Sequence, residues 1–383
     1  MKQHTALPHP AAAHGPSNPE LTEKAEKAEK AEKAATKIVF LVMSAVNKAA
    51  TVDQLAKALA PHTVLVHHDF SQTPEFPLSA PNVLFVPKPL RTGWGLFSFV
   101  EAIFHSMRYA LDHLDFDYLQ LLSPSCLPIK PLAQFEAHVA GGADAHFDCM
   151  DVLRDQDALM TIGYRALTPD KTLRFRIARR LSNVYFGASL GRREEAGIWV
   201  RSQPKGNAAG SRVALAFTRA LGRPSIGRHI FDEKFRAYYG TTWFGARRQA
   251  VAQMIESFQR PGLRDYFSRL CLPEEIILPT LLMDLHLNKG PMNHYFQHFE
   301  QSHPRLFGES DIGRLRQSPA FFARKFPDDA SAPVRRRVLD EMVHAPAGLA
   351  AARAPAPRPS ASCLSSFIVP ASPLTLRASP PPP

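Results

Sequence analysis

The chain has 383 residues, 45% of them hydrophobic, and a formal net charge of +11, which is enough length for one large domain or two ordinary ones and enough apolar side chain for a sizeable core. Its four cysteines (Cys126, Cys149, Cys271, Cys363) lie far apart with no CxxC spacing, which argues against a structural zinc and against a disulfide framework. No run reaches the ~18 apolar residues of a membrane span and no apolar segment near the start leads into a cleavage site, so a cytoplasmic location with reduced thiols is expected.

Residues 1–36 join a Pro/Ala/His stretch to a "KAE" repeat with nothing apolar to bury beyond alanine, the composition of a disordered segment or a solvated helix. "KIVFLVMSA" then reads as a buried strand and "TVDQLAKALA" as a helix with Thr51 at its N-cap. Two more strands follow in "HTVLVHHD" and "NVLFVP", a long amphipathic helix in "GWGLFSFVEAIFHSMRYALDHL", and a fourth strand in "DYLQLLS". Strands alternating with helices predict an α/β domain with a mostly parallel sheet. Ligands of such sheets bind beyond the carboxyl ends of the strands, which gathers Ser44, His67 to Ser71, Thr92 to Gly95 and Ser123 to Leu127 on one rim. Residues 141–236, Arg-rich with a helical signal in "KTLRFRIARRL", read as an insertion carrying substrate contacts or a partner surface. Order returns in "YYGTTWFGARRQAVAQMIESF", a strand or turn running into a helix, and "LPEEIILPTLLMDL" is helical after Pro273 with Pro279 as a candidate kink. Residues 344–383 form an Ala/Pro/Ser-rich tail, leaving 37–343 as one domain.

Asp115 and Asp117 have the D-x-D spacing of a metal-holding pair, but they precede the apolar run of their strand and so belong to the edge opposite the rim. After that strand comes "SPSC", which has no carboxylate. If a diphosphate is bound and no metal neutralises it, protein cations must. Arg324 and Lys325 in "SPAFFARKF" offer paired guanidinium donors and an ammonium, with Phe321, Phe322 and Phe326 as dry walls; an ordinary surface strand has the same pattern. In "LPEE" one carboxylate is a candidate general base, and the competing reading is acidic residues at a helix start. Trp94 in "RTGWG" and Trp243 in "GTTWF" suit sugar-stacking platforms or, equally, core positions. His67 and His68 lack zinc spacing, and one is expected to face the core and one the rim.

With these pieces in chain order, the sequence resembles the core-2/I-branching β-1,6-N-acetylglucosaminyltransferase and peptide O-xylosyltransferase family. The likeness rests on "VHHD", "RTGWG", "LLSPSCLPI", "GTTWF", the second glutamate of "LPEE" and an unchanged "FFARKF", and spans roughly residues 38 to 327. The resemblance implies a GT-A-like fold and an inverting transferase that uses a UDP-sugar without a metal ion or other cofactor. It matches Glu275 to the catalytic base, Arg324 and Lys325 to the diphosphate-binding residues, Asp69 to the acidic residue near uridine and ribose, Thr92 and Trp94 to the donor loop, and Trp243 to the acceptor side. Cys126 stands where the family usually has Asp, and Thr242 where xylosyltransferase-like members have Asp. The missing disulfide cysteines and anchor favour a bacterial-type cytoplasmic version.

The resulting expectation is transfer of GlcNAc or xylose to a hydroxyl of a glycan or lipid-linked acceptor, without nucleic acid and without a membrane span; peripheral association with a membrane stays open. Two alternatives also stay open: an inactive sugar-binding relic, and a basic module binding nucleic acid or an anionic glycan.

Overall fold

Ile38–Ser44 (β1) is seven residues long and buried at every one of them, as befits a strand covered on both faces of a parallel sheet. The computed structural model describes residues 36–163, 173–187, 192–195, 198–202, 209–226, 230–300 and 303–344. The expected disordered ends lie, apart from residues 36 and 344, outside them.

After β1 come Ala49–Ala58 (α1), Thr63–His68 (β2), Val83–Phe85 (β3), Phe97–His113 (α2), Tyr118–Leu122 (β4), Leu127–Pro128 (β5), Leu132–Ala140 (α3), Ala145–His146 (β6), Met150–Asp151 (β7) and Gln156–Gly163 (α4). Next are Leu173–Phe186 (α5), Arg192–Glu195 (β8), Ile198–Arg201 (β9), Ala209–Ile226 (α6), Tyr238–Tyr239 (β10), Gly245–Arg247 (β11), Arg248–Ser257 (α7) and Leu263–Phe267 (α8). Glu274–Asp284 (α9), Tyr295–Gln297 (β12), Phe299–Glu300 (β13), His303–Pro304 (β14), Ile312–Gln317 (α10), Phe322–Arg324 (β15) and Pro333–Val338 (α11) complete the order.

The central sheet runs β3-β2-β1-β4-β11-β6. β3, β2, β1 and β4 are mutually parallel, and β11 and β6 add an antiparallel edge. A small sheet, β12-β15-β5, stands beside it. Side chains of β1 alternate between two apolar layers, as the two-residue period of a strand requires. Val39, Leu41 and Met43 join α2, α7 and α9 on one face, and Ile38, Phe40 and Val42 join α1, β15 and α11 on the other. The result is a mixed α/β protein with a mostly parallel central sheet and flanking helices.

Three sequence expectations need correction. Thr51 is not the N-cap of α1: Lys48 holds that position, and its N–H donates to Asp328 (3.1 Å), to which Thr51 Oγ1 also donates (2.6 Å). A carboxylate distant in sequence thus supplies the capping acceptor. His67 and His68 do not divide between core and rim, since both are fully buried. The stretch 141–236 is not wholly an insertion: β6 belongs to the central sheet and β7 pairs with β10, and strands of two residues are too short to leave a periodic signal. Pro279 lies inside α9, which runs on to Asp284.

Candidate active site

The rim is assembled from β2 outward. Asp69 follows β2 directly and is 2% exposed. One carboxylate oxygen accepts from the Ser71 N–H (3.0 Å) and hydroxyl (2.6 Å). The other accepts from Gln72 Nε2 (2.7 Å), the Thr92 N–H (2.7 Å) and the Thr92 hydroxyl (3.2 Å). Burial pushes this acid up, but the bonds from Ser71, Thr92 and Gln72 outweigh it and hold the carboxyl far below the usual carboxylate range. Asp69 is therefore an ionised clamp fastening the Thr92–Gly95 loop to the sheet. At the loop's crown Trp94 is 83% exposed, an open indole face available for stacking.

From that loop the contacts lead to the acidic helix. Gly95, at φ 71, accepts through its carbonyl from the Leu272 N–H (3.0 Å), three residues before Glu275. α9 is buried almost all round, through Ile276, Ile277, Leu278, Thr280, Leu281 and Leu282, as a helix enclosed by the protein must be. Pro279 cannot donate to the carbonyl four residues back, which is that of Glu275. The Gly240 N–H takes that carbonyl instead (2.8 Å), so the proline docks "GTTWF" onto the turn bearing Glu275. Gly240 has no space for a side chain, because a Cβ there would meet the Asp148 carbonyl oxygen at 2.1 Å.

Three residues after Gly240, Glu275's partner in "GTTWF", the segment meets Arg324. Trp243 is 7% exposed, with the Arg324 guanidinium over its ring at 4.7 Å and Tyr295 stacked on it at 5.8 Å between centroids. Arg324 Nε is buried with no hydrogen-bond partner among the described residues. Asn293 Nδ2 lies within hydrogen-bonding reach of the Trp243 carbonyl (2.9 Å), Thr241 Oγ1 (3.1 Å) and Asp148 (2.8 Å). Glu275 and Arg324 thus meet opposite ends of one short segment. Lys325 is exposed and is held through its carbonyl, which accepts from the Phe307 N–H (2.8 Å). Phe322 and Phe326 are fully buried in the core, so they serve packing and are not walls of the cleft.

The "SPSC" turn closes the arrangement. Cys126 is fully buried, its Sγ 3.1 Å from the Tyr295 hydroxyl, and the Ser125 carbonyl accepts from the Phe326 N–H (2.9 Å). The thiol thereby holds the tyrosine that backs Trp243. At the opposite edge, Asp115 pairs with Lys37 Nζ and Asp117 accepts from the Lys37 N–H (2.8 Å), as expected of a strand start.

Periodicity could not reveal Asn293, Tyr295 or Gln72, since they are drawn to the site by tertiary contacts alone. It also missed His138, His146 and His294, whose ligand atoms converge within 4.8 Å. Gln120 Oε1 accepts from His294 Nδ1 (2.7 Å) while its amide donates to the Phe244 carbonyl (3.0 Å), leaving His294 with a bare, buried Nε2. Burial, with Lys130 near His138 and Lys289 and Arg247 near His146, keeps these rings neutral. The same cations oppose a dication there.

The Trp94 loop lies beyond the carboxyl end of parallel strand β2, the place where sheets of this kind bind ligands, and the contacts above link it to the helix bearing Glu275 and to the segment under Arg324. Residues 38–172 match the family model described as Core-2/I-Branching enzyme. The match supports the core-2/I-branching family read from the sequence motifs, and that family implies a glycosyltransferase. It spans Asp69, Thr92, Trp94 and Cys126; Trp243, Glu275, Arg324 and Lys325 lie beyond it. No curated protein matches the chain.

Proposed function

We propose that the protein is an inverting transferase of GT-A-like fold, formed by residues 37–343, that moves GlcNAc or xylose from a UDP-sugar to a hydroxyl of a glycan or lipid-linked acceptor in the cytoplasm, with no metal or other cofactor. The observation that carries the proposal is Arg324 seated on Trp243, with Nε unpartnered among the described residues, in the segment whose other end holds the Glu275 carbonyl. A guanidinium so placed has a donor to spare for a diphosphate oxygen, and its paired geometry suits that group.

In the proposed reaction Glu275 takes the proton of the acceptor hydroxyl as its oxygen bonds to the anomeric carbon. The bond from that carbon to the diphosphate breaks on the opposite face, and UDP leaves with the electron pair. Arg324 and Lys325 stabilise the charge that builds on the leaving group. Trp94 stacks on the donor, and Asp69 with Thr92 sets the loop from which it does so. The Trp243 ring is already engaged by Tyr295 and Arg324, so its acceptor-side part is positioning, through Thr241 and the backbone.

Replacing a positioned base costs on the order of 10² to 10⁴ in rate. Glu275→Gln is expected to lose that much of the UDP released from a UDP-sugar in the presence of acceptor, with UDP affinity kept. Turnover near wild type in that variant would remove Glu275 from the reaction. UDP-sugar binding without turnover in the wild type would support the sugar-binding relic instead.

A further inference from the structure

Helices α5 and α6 belong to none of the machinery above, and their faces are unlike those of other surface helices. α5 buries Ala178, Ser182, Tyr185 and Phe186, and α6 buries Ser211, Ala214, Leu215 and Thr218; Tyr185, Phe186, Ala214 and Leu215 form a small core with Met160 of α4. Away from that core α5 exposes Leu173 (64%), Ile177 and Val184 (54%), and α6 exposes Val213 and Phe217 (58%). At 100° per residue, Leu173, Ile177 and Val184 fall within about 40° of one another, opposite the buried stripe. Arg176 and Arg180 border that apolar stripe, and both are exposed. α5 holds four arginines and α6 three, and neither contains an acidic residue.

A surface helix in water has a polar outer face. Here outward apolar side chains stand beside exposed Arg176, Arg179 and Arg180 on α5 and Arg212 on α6, the arrangement of helices that lie in a lipid interface, where apolar groups enter the acyl boundary and cations meet anionic headgroups. No helix of the described residues is long and apolar enough to cross a membrane, so this contact lies along the surface. We infer that α5 and α6 form a docking face for an anionic phospholipid bilayer. The charge selects the occupant: an apolar protein partner would need no such excess of arginine, and nucleic acid would need no outward Leu, Ile, Val and Phe. The inference stands apart from the transfer reaction and does not depend on it.

The test is co-sedimentation of the full chain with phosphatidylcholine vesicles containing about one third phosphatidylglycerol, against pure phosphatidylcholine, at roughly physiological salt. The wild type is expected to sediment with the anionic vesicles alone. The triple variant Ile177→Ser, Val184→Ser, Phe217→Ser changes exposed positions, so its circular dichroism and melting temperature should match wild type while partitioning falls at least about tenfold. A wild type that ignores anionic vesicles overturns the inference, and so does a triple variant that sediments undiminished, which would mean charge alone attracts the protein. Wild-type dimers dissolved by the same substitutions would assign the face to a second copy, and oligonucleotide binding without vesicle binding would assign it to nucleic acid. UDP release in vesicle-free buffer should be equal in both proteins, which separates failure here from failure of the transferase reading.

Discussion

Asp69 shows how much one carboxylate can organise. Five donor contacts from Ser71, Gln72 and Thr92 converge on it, leaving little of it for a direct ligand bond and making the Thr92–Gly95 loop its main charge. Its depressed pKa means that this stabilisation is complete above the ordinary carboxylate range and is lost only as pH falls below it. Asp69→Asn should keep the shape but turn an N–H₂ toward N–H donors, costing about 1–3 kcal/mol. The expected result is a lower melting temperature and a raised KM for the UDP-sugar with a smaller change in kcat. Unchanged values of all three would show that the loop does not need the charge.

At the scale of elements, the geometry turns on what Pro279 withholds from α9. The Glu275 carbonyl, denied its helical partner, bonds to Gly240, and the close approach to Asp148 excludes any side chain at that glycine. Gly240→Ala is expected to destabilise the protein by about 1–3 kcal/mol and to disturb Trp243 fluorescence, because the Gly240–Trp243 segment must move away from the Asp148 carbonyl. Gly313, inside α10 with nothing within 4 Å of a would-be Cβ, is the matched control. There Gly→Ala should stabilise by roughly 0.5–1 kcal/mol. Equal denaturation midpoints for the two variants would show that the close approach at Gly240 contributes nothing. Much of this element pattern was legible beforehand: "KIVFLVMS" and "DYLQLL" are apolar runs, and "LPEE" opens a helix. The bond between Gly240 and Glu275 was not, because 35 residues separate the two and only the fold brings them together.

Across the whole molecule, buried histidines couple stability to pH. His67 and His146 are each held down to about 4, chiefly by burial, and His294 lies well below its ordinary value for the same reason. Unfolded, these rings titrate near 6.5. Between about 6.5 and 4 the unfolded chain therefore binds more protons, and stability must fall as pH drops through that window. Urea midpoints measured above pH 7 and at about pH 5.5 should differ, the more acidic one lying lower; equal midpoints would mean that the rings are not buried as a neutral set. A mostly parallel central sheet was accessible from the alternation of strands and helices between "KIVFLVMSA" and "DYLQLLS", but its β11 and β6 edge was not. The histidine cluster was not, since His138, His146 and His294 come from a helix, an edge strand and a loop whose proximity no local pattern encodes. Likewise "FFARKF" announced its cation, while Phe322 and Phe326 were core all along.

The account depends most on Arg324 recognising a diphosphate. Titration calorimetry of UDP into wild type and Arg324→Ala measures that directly. Loss of a charge-assisted bond to phosphate is worth about 1.5–3 kcal/mol, so affinity should fall roughly ten- to hundredfold with the melting temperature little changed. UDP binding of undiminished strength in Arg324→Ala would contradict it.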